Sequence, residues 1–360
     1  MKNEVYFEVK NQDGLARYGE LRVGNLQVET PLIFLGYRLG DQPEVWKKIK
    51  IEALMPNVYD LLQNNGRVTE VLKKGVHKYL GFSNLIMMDS GGWYFQKKGG
   101  INVDVEYVLE LEEKARPDIG VVLDFPLDPS KPEETHKRID YTARNTKYML
   151  EKSKIPIMPT IHGYSKEEID YSAKKLRLDK PTMLALGSQA ALLYPFRVNK
   201  IEKIVDTILY VRRKFPNAFL HVFGLGSPRL VPLLFYLGVD SVDAKTWLWK
   251  AVRHMIYHNG QIVCIKNDSY SWTPYFDGRD FECNCPVCSK YGFEGLKGER
   301  NWRNRAIHNA WKYQQEMKEI RKSIRDGWME EYIGDRMENK TYRSLFEKIK
   351  NKLQKNLYEW

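Results

Sequence analysis

Eight short and almost continuous apolar runs divide the first 245 residues of the chain. They are PLIFLGY (31–37), EALMPNVYD (52–60), NLIMMDS (84–90), IGVVLDFP (119–126), IPIMPTIHG (155–163), TMLALGS (182–188), AFLHVFGLG (218–226) and VDSVDAK (239–245). Runs without polar alternation are typical of strands buried on both faces. The segments between them place apolar residues every three or four positions, as helices do. Eight such units predict an α/β fold of the (β/α)8 barrel type, with a doubly wound open sheet as the alternative.

The charge balance favours a polyanionic partner. The chain carries 57 Lys and Arg against 46 Asp and Glu, a formal net charge of +11, which favours nucleic acid. With 43% hydrophobic residues and no low-complexity tract, the sequence is that of a folded protein. The N-terminal stretch MKNEVYFEVKNQDG has no apolar core, and no apolar run reaches the ~18 residues that a membrane span needs. We therefore expect a cytoplasmic protein with no membrane partner.

A cluster of cysteines predicts a metal site. Cys283, Cys285 and Cys288 form a C-x-C-x-x-C motif, and His308 follows on a helix-like segment. Three thiolates and one imidazole make a closed tetrahedral zinc site, which leaves no open position for a substrate. We therefore expect one structural zinc ion per chain. The alternatives are three unrelated thiols, or Cys264 as the fourth ligand in place of its role as a buried strand residue.

The residues beyond about 246 differ in pattern from the repeating part. The stretch WLWKAVRHMIYHNG is helix-like, CIKNDSY resembles a strand, and two long polar helices are predicted near the end of the sequence. No Gly/Ser/Pro-rich linker separates this part from the repeats. We predict a barrel domain over 1–250, a zinc-binding subdomain packed on it over 251–325, and a basic helical extension over 326–360.

Polar residues recur where the predicted strands end. Asp89, Asp124, His162 and Asp243 each lie at or near the end of a run, and barrels carry their chemistry at that end. Neighbouring carboxylates raise one another's pKa, so a pair can work as a general acid/base and a nucleophile. The alternative for a single aspartate is a helix N-cap.

Glycine-rich turns follow two of these runs. Ser90, Gly91 and Gly92 separate Asp89 from Trp93, and Gly224 begins a second tight turn. Glycines let the backbone approach a ligand closely, and an indole ring offers a flat face for stacking on a base. A packed aromatic cluster is the alternative for Trp93.

The order and spacing of these pieces resemble the tRNA-guanine transglycosylase superfamily. The similarity runs from FEVKNQDGLARYGELRVGNLQVETP through DSGGW, LDFPLD, LALGS, FGLGSP and GVDSVD to the C-x-C-x-x-C…His site, about the first 310 residues. It implies a (β/α)8 barrel with a structural zinc subdomain. It also implies an enzyme that exchanges guanine in a polynucleotide for a 7-deazaguanine base such as 7-cyano-7-deazaguanine. Homodimers are common in the superfamily.

The resemblance also implies a role for each site residue. Asp243 matches the nucleophile that attacks C1′ and forms a covalent sugar ester, and Asp89 matches the acid/base, as in a retaining glycosidase. Asp124 matches the residue that reads the donor edge of the base. His162 stands where the family has a glutamine. The other residues implied to contact the base are Ser90, Gly91, Gly92, Trp93, Leu184, Ala185, Gly187, Phe223 and Gly224.

The residues after Asp243 distinguish two branches of the superfamily. The tRNA enzymes follow the nucleophile with a Pro-Thr-Arg stretch, whereas Asp243 is followed here by Ala-Lys-Thr-Trp. That pattern resembles the DNA-acting 7-deazaguanine transglycosylases, and the sequence ends without the RNA-binding domain common in archaeal tRNA enzymes. We therefore expect DNA as the substrate, with tRNA as the alternative and Lys245 as a contact to nucleic acid. A catalytically inert nucleic-acid-binding barrel and a zinc-containing barrel acting on small nucleosides are the rival functions.

Overall fold

The eight apolar runs pair in parallel at the centre of the computed structural model. The structure describes residues 4–40, 42–62, 66–97, 103–193, 198–266, 273–336 and 340–357. The strands in chain order are β1 (Val5–Asp13), β2 (Ala16–Val23), β3 (Leu26–Thr30), β4 (Leu32–Gly36), β5 (Ala53–Met55), β6 (Leu85–Met88), β7 (Ile119–Val121), β8 (Ile157–Met158), β9 (Thr160–Ile161), β10 (Met183–Leu186), β11 (Phe219–Val222), β12 (Ser241–Ala244), β13 (Met255–His258) and β14 (Gln261–Cys264). Every predicted run contains at least one of the central strands.

The central sheet closes into a barrel. Its order is β8-β7-β6-β5-β4-β12-β11-β10-β9, with parallel pairing throughout. The strands at its two ends, β8 and β9, are halves of a single run that is interrupted by Pro159, a residue with no N–H to donate to a neighbouring strand. Because both ends of the sheet belong to one segment, the (β/α)8 barrel is confirmed and the open sheet is excluded.

Helices cover the outside of the barrel. They are α1 (Val58–Leu61), α2 (Gly66–Lys74), α3 (Val76–Leu80), α4 (Gly92–Lys97), α5 (Val105–Ala115), α6 (Thr135–Lys152), α7 (Lys166–Leu176), α8 (Gln189–Leu192), α9 (Val198–Lys214), α10 (Val231–Tyr236) and α11 (Thr246–Val252). Their apolar faces and the outward side chains of the strands form the largest core cluster. None of the helices in the described ranges is long and apolar enough to cross a membrane.

An antiparallel sheet of β1, β2 and β3 covers the amino end of the barrel. Leu21 and Val23 of β2 belong to the same buried cluster as Phe219 and the other inward-facing side chains of the barrel. The ring of Phe7 meets Phe219 edge to face, with centroids 5.4 Å apart. The hydrophobic runs did not predict this sheet, because β1 alternates between exposed and half-buried residues. It seals one end of the barrel, so the opposite end is the open mouth.

The last third of the chain packs on the barrel beside this sheet. Its helices are α12 (Pro286–Tyr291), α13 (Trp302–Asp326), α14 (Met329–Arg336) and α15 (Lys340–Leu357). On α13, Arg321 donates to the carbonyl oxygen of Pro31 at 2.9 Å and forms an ion pair with Glu52. Lys348 of α15 pairs with Glu202 of α9 at 2.6 Å. The division into domains at 250 and 325 stays a prediction.

One predicted element in this part is wrong. The stretch WLWKAVRHMIYHNG does not form a single helix, because α11 ends at Val252 and β13 begins at Met255. His254, between them, has a φ of 56°, a left-handed conformation that breaks a helix. Of the predicted strand CIKNDSY, Cys264 ends β14 and residues 267–270 lie outside the described residues.

Candidate active site and metal centre

Three aspartates lie near one another at the mouth of the barrel. Asp89 follows β6, Asp124 lies beyond the end of β7, and Asp243 lies within β12. Burial first, and then the charges of Asp124 and Asp243, raise the pKa of Asp89 to about 6, against the opposing effects of Lys245 and the Gly91 N–H. A carboxyl group with a pKa near neutrality can both give and take a proton, as a general acid/base requires.

Asp89 is held on both of its carboxyl oxygens. The side-chain amide of Asn57 donates to Oδ2 at 2.5 Å, and the backbone N–H of Gly91 donates to Oδ1 at 3.2 Å. Backbone hydrogen bonds also join the residues after β5 to Asp89, which forms an isolated bridge with Asn57. Asn57 was not among the site residues predicted from the sequence. The pattern that predicted the aspartates could also have predicted Asn57, because it is the first strongly polar residue after a barrel strand.

The Ser-Gly-Gly turn packs directly against Asp124. A Cβ atom on Gly92 would lie 2.3 Å from the backbone oxygen of Asp124 and 2.5 Å from its Oδ1, so only glycine fits there. Ser90 is fully buried and donates to the carbonyl oxygen of Val122 at 2.9 Å, which ties the turn to the neighbouring segment. Trp93, at the start of α4, is 53% exposed at the mouth.

Asp243 is oriented by the turn after β11. The backbone N–H of Gly224 donates to Asp243 Oδ1 at 2.6 Å, and the N–H of Gly226 donates to its backbone oxygen at 3.0 Å. A Cβ on Gly226 would lie 2.2 Å from that oxygen, so the close approach requires glycine. Phe223, half-buried, precedes the turn and packs on the inward-facing cluster of the barrel. This arrangement fixes one oxygen of the carboxylate and leaves Oδ2 for other contacts.

A buried histidine stands behind Asp124. Nδ1 of His162 lies 2.7 Å from Ser188 Oγ, and Nε2 lies 3.3 Å from Asp124 Oδ2. Ser188 Oγ accepts the N–H of Leu127 at 2.8 Å, and if its own hydroxyl proton is donated to Nδ1, the imidazole proton is on Nε2, facing Asp124. A Cβ on Gly187 would lie 2.4 Å from the imidazole, so the ring is tightly enclosed.

A second buried histidine, His221 of β11, faces Asp243 in the same way. Its Nδ1 lies 2.8 Å from Ser241 Oγ, and its Nε2 lies 3.6 Å from Asp243 Oδ1. Nε2 has no hydrogen-bond partner among the described residues. The ring packs edge to face on Phe223, with centroids 4.5 Å apart. His221 was not predicted as a site residue, because a polar residue inside an apolar strand gives no strand-end signal.

Lys245 lies at the mouth beside the aspartates. Its Nζ donates to the hydroxyl of Tyr94 at 2.8 Å and lies 5.0 Å from the centre of that ring, which stacks on Tyr59. Burial alone would lower the pKa of Lys245, but Tyr94, Asp89 and Asp243 outweigh it and raise the pKa above its ordinary value. The lysine we expected as a nucleic-acid contact is therefore a charged group bonded to Tyr94 near the carboxylates.

Leu184 and Ala185 lie within β10, deeper in the barrel. The side chain of Leu184 packs outward against the helices, and that of Ala185 packs inward. Both are fully buried, so contacts with a ligand at the mouth would have to come from the backbone or from the turn that begins at Gly187.

The four predicted metal ligands converge. Nδ1 of His308 lies 3.4 Å from Sγ of both Cys283 and Cys288 and 3.7 Å from Sγ of Cys285, and all four atoms lie within 4.8 Å of one another. Tetrahedral zinc at about 2.3 Å from sulfur and about 2.1 Å from nitrogen separates such atoms by about 3.6 Å, so the residues fit this ion. The other ring nitrogen of His308 bonds the carbonyl oxygen of Tyr257 at 2.9 Å, which fixes the tautomer as in other metal sites.

Cys264 lies outside this cluster. It is fully buried at the end of β14, and its thiol donates to the carbonyl oxygen of His254 at 3.5 Å. Backbone N–H groups donate instead to two of the clustered sulfurs, from Cys285 to Cys283 and from Cys288 to Cys285. The expectation that Cys264 is a buried strand residue agrees with this placement.

Comparisons with known proteins identify a family and several relatives. The family model described as queuine tRNA-ribosyltransferase matches residues 12–342. A tRNA-guanine(15) transglycosylase of Pyrococcus abyssi is 28% identical over 342 residues, which cover 92% of this chain and 56% of that protein. The Methanocaldococcus jannaschii protein of the same name is 26% identical, covering 92% of this chain and 51% of its own length. The Nanoarchaeum equitans protein of the same name is 29% identical over 252 residues, which cover 68% of this chain and 59% of that protein. The chain spans little more than half the length of these relatives, and their names do not support our expectation of a DNA-acting branch.

Proposed function

The chain belongs to the queuine tRNA-ribosyltransferase family, and from this premise we propose that it exchanges guanine in a polynucleotide for a 7-deazaguanine base. The observation that carries the proposal is the presence of two aspartates with different surroundings at one barrel mouth. Asp243 is oriented by the N–H of Gly224. The pKa of Asp89 is raised to about 6 by burial first and by nearby carboxylates second. A double-displacement reaction at C1′ requires one oriented carboxylate as nucleophile and a second carboxyl group that can give and take a proton.

In the proposed reaction Asp243 is the nucleophile. A carboxylate oxygen of Asp243 attacks C1′ of the target nucleotide, and the bond from C1′ to guanine breaks. The proton on Asp89 moves to the departing base. Asp89 then takes a proton from the incoming 7-deazaguanine base, whose nitrogen attacks C1′ and releases the Asp243 carboxylate. Two displacements retain the configuration at C1′, as in retaining glycosidases.

The base pocket that we propose combines edge and face contacts. Asp124 would accept hydrogen bonds from the base's N–H donors, and the imidazole of His162, in the tautomer with its proton on Nε2, would orient that carboxylate. Trp93 and Phe223 would cover the two faces of the base. The remaining residues of the proposed pocket are Ser90, Gly91, Gly92, Leu184, Ala185, Gly187 and Gly224.

We propose tRNA as the polynucleotide. The names of the relatives support it, whereas the sequence after Asp243 was the basis for expecting DNA. A guanine inside a helix cannot reach the bottom of a barrel mouth, so the target nucleotide has to be unpaired or flipped out. DNA is the alternative that the experiment below distinguishes. The homodimer stays an untested expectation.

We also propose that the Cys3His cluster holds one structural zinc ion. The support is the ligand set and the atom separations of 3.4–3.7 Å described above. Four protein ligands close the coordination shell, so the ion would supply rigidity to the fold rather than chemistry. Cys283, Cys285, Cys288 and His308 would bind it.

Release of labelled guanine tests the proposed function. The protein is incubated with tRNA, single-stranded DNA and duplex DNA that carry labelled guanine, with 7-cyano-7-deazaguanine supplied. We expect release from tRNA, and none with Asp243→Ala or Asp89→Asn. Release from DNA alone would replace tRNA with DNA as the substrate, and no release from any polymer would contradict the transglycosylase function.

A further inference from the structure

Two sets of three side chains at the mouth of the barrel share one arrangement. In each set a serine hydroxyl lies against Nδ1 of a buried histidine, and Nε2 of that histidine faces an aspartate. The sets are Ser188–His162–Asp124 and Ser241–His221–Asp243, which we call the Asp124 unit and the Asp243 unit. The third aspartate of the mouth, Asp89, is held instead by Asn57 and the backbone N–H of Gly91.

The Asp243 unit is built from two neighbouring strands. Ser241 and Asp243 are two positions apart on β12, so their side chains lie on the same face of the strand. His221 of β11 is directly opposite Ser241 in the parallel pairing. The imidazole packs edge to face on Phe34 and on Phe223, with centroids 5.6 Å and 4.5 Å away. These contacts hold the ring with Nδ1 at 2.8 Å from the hydroxyl oxygen and Nε2 toward the carboxylate.

The Asp124 unit is built from the turns that follow the strands. Ser188, two residues beyond β10, has a φ of 71°, a left-handed conformation that costs free energy for any residue other than glycine. In this conformation its Oγ accepts the N–H of Leu127 at 2.8 Å and lies 2.7 Å from Nδ1 of His162. Its backbone oxygen accepts the hydroxyl of Tyr164 at 3.3 Å. An unfavourable backbone conformation thus occurs where the hydroxyl meets the imidazole.

The chemistry of the partners distinguishes the two imidazole nitrogens. A neutral imidazole carries one N–H, and an ionised carboxylate only accepts hydrogen bonds. A proton on Nε2 points at the carboxylate, whereas a lone pair on Nε2 would face the lone pairs of a carboxylate oxygen. With the proton on Nε2, Nδ1 is an acceptor and needs a donor. A serine hydroxyl can donate as well as accept, so it suits this position.

We infer that Ser188 and Ser241 are positioning residues that hold His162 and His221 in the tautomer with the proton on Nε2, so that each imidazole orients its aspartate. The two units then act on different steps. The Asp124 unit acts on binding of the base, and the Asp243 unit acts on the attack at C1′. These two roles rest on the proposed function, whereas the tautomers do not depend on it.

NMR spectroscopy of the histidines tests the tautomers without any reaction. In protein with isotope-labelled histidine, long-range proton–nitrogen correlations distinguish rings protonated on Nδ1, on Nε2 or on both nitrogens. We expect the Nε2–H pattern for both rings, with signals assigned from His162→Gln and His221→Gln. Ser188→Ala should disturb the pattern of His162 alone, and Ser241→Ala that of His221 alone. Ser241→Thr, which keeps a hydroxyl, should keep the wild-type pattern.

A matched control removes a hydroxyl that has no such role. Thr160→Val deletes a fully buried hydroxyl of β9 that has no hydrogen-bond partner among the described residues. Both histidine patterns should stay as in wild type. A change in either pattern equal to that of the serine variants would overturn the inference, because loss of any buried hydroxyl nearby would then have the same effect.

Steady-state kinetics tests the division of roles. With the concentration of 7-cyano-7-deazaguanine varied, Ser188→Ala should raise KM for this base about fivefold, the usual effect of one lost hydrogen bond, and should affect kcat less. Ser241→Ala should lower kcat about fivefold and affect KM less. The same change in kcat and KM in both variants would contradict separate roles for the two units.

The NMR result and the reaction fail independently. Rings protonated on Nδ1 or on both nitrogens in wild type would overturn the inference, even if exchange of guanine is observed. An Nε2–H pattern that persists in both Ser188→Ala and Ser241→Ala would also overturn it, since the serines would then not hold the tautomer. Nε2–H rings that depend on the serines, in a protein that releases no guanine from any polymer, would contradict the proposed function alone.

Discussion

Asp89 is surrounded by groups that shift its pKa in opposite directions. Burial and two neighbouring carboxylates favour its neutral form, whereas the ammonium group of Lys245 favours its charged form. The result is a pKa of about 6, which suits an acid that protonates a leaving base. Of these charged neighbours, Lys245 is the one whose charge a substitution can remove without altering a carboxylate.

Removing the charge of Lys245 should therefore change the pH dependence of the reaction. Release of guanine needs protonated Asp89, so its single-turnover rate should fall as the pH rises through about 6. In Lys245→Met the pKa of Asp89 rises further, and the fall should move to higher pH. Lys245→Arg keeps the charge and should keep the wild-type profile. If Lys245→Met leaves the pH profile of the single-turnover rate unchanged, the ionisation of Asp89 does not determine that profile.

His221 provides a second residue-scale prediction. Its Nε2 faces Asp243 Oδ1 from 3.6 Å, so we expect it to help orient the nucleophile. His221→Phe should lower kcat by roughly ten- to a hundredfold, in the range of lost oriented donors, with little change in KM. His221→Gln, which can present an N–H at a similar position, should recover part of kcat. A kcat that falls equally in both variants, together with a lower Tm, would indicate a packing role instead.

Among the elements, α13 connects the metal cluster to the mouth of the barrel. His308 is a predicted ligand, and one turn further Tyr313 donates to the carbonyl oxygen of Gly226 at 2.6 Å. Between them Asn309 accepts the N–H of Tyr257 at 2.8 Å. The turn at Gly226 is the one that holds Asp243, so the position of the proposed nucleophile depends on an element that the proposed zinc ion would anchor.

Loss of the metal should therefore lower both stability and activity. We expect about one zinc per wild-type chain by elemental analysis, and little in Cys288→Ser, with a Tm lower by several degrees and slower guanine release. Cys264→Ser is the matched control, because this buried thiol lies outside the cluster, and it should keep the metal. Full zinc content in Cys288→Ser would contradict the assigned ligand set.

The packing of α5 on β7 gives a prediction about stability. Glu112 of α5 is fully buried and so close to Gly120 that a Cβ there would lie 2.4 Å from Oε2. Burial raises the pKa of Glu112 well above its ordinary value, and the charge of Asp89 raises it too. The folded state thus keeps a proton that the unfolded chain loses, and this group's contribution to stability falls as the pH rises above about 4.5.

Glu112→Gln should remove that loss. The amide has the same shape and never ionises. The Tm of the Glu112→Gln variant should therefore exceed that of wild type at pH 8, exceed it by less at pH 6, and not exceed it at pH 4. Glu113→Gln, which changes a less buried neighbour, is the control and should show no such pH-dependent gain. A Tm difference for Glu112→Gln that does not change with pH would contradict a neutral buried carboxyl group.

At the scale of the whole molecule, the sequence predicted the parts that depend on hydrophobic pattern. All nine strands of the central sheet lie within the eight predicted runs because both of their faces are buried. The sheet of β1–β3 was not predicted from continuous apolar runs, because one face of β1 is exposed. The C-x-C-x-x-C spacing located the metal cluster because its three thiols are local in sequence, whereas His308 required the fold to bring it there.

The mouth of the barrel was predictable only in part. Residues at strand ends, such as Asp89, could be read from the sequence, but Asn57 and His221 act through contacts across neighbouring strands that no local pattern reveals. The residues after Asp243 favoured DNA, whereas the matched relatives are named as tRNA-guanine(15) transglycosylases, so this local pattern did not decide the polynucleotide. The roles of all these residues stay predictions.

One measurement tests the central claim most directly, namely that Asp243 forms a covalent ester with C1′. The protein is mixed with tRNA without an incoming base, quenched in denaturant and digested for mass spectrometry. The account predicts a ribose-linked adduct on the peptide that contains Asp243, and none in Asp243→Asn. An adduct on another residue, or none with any guanine-containing tRNA or DNA, would contradict it.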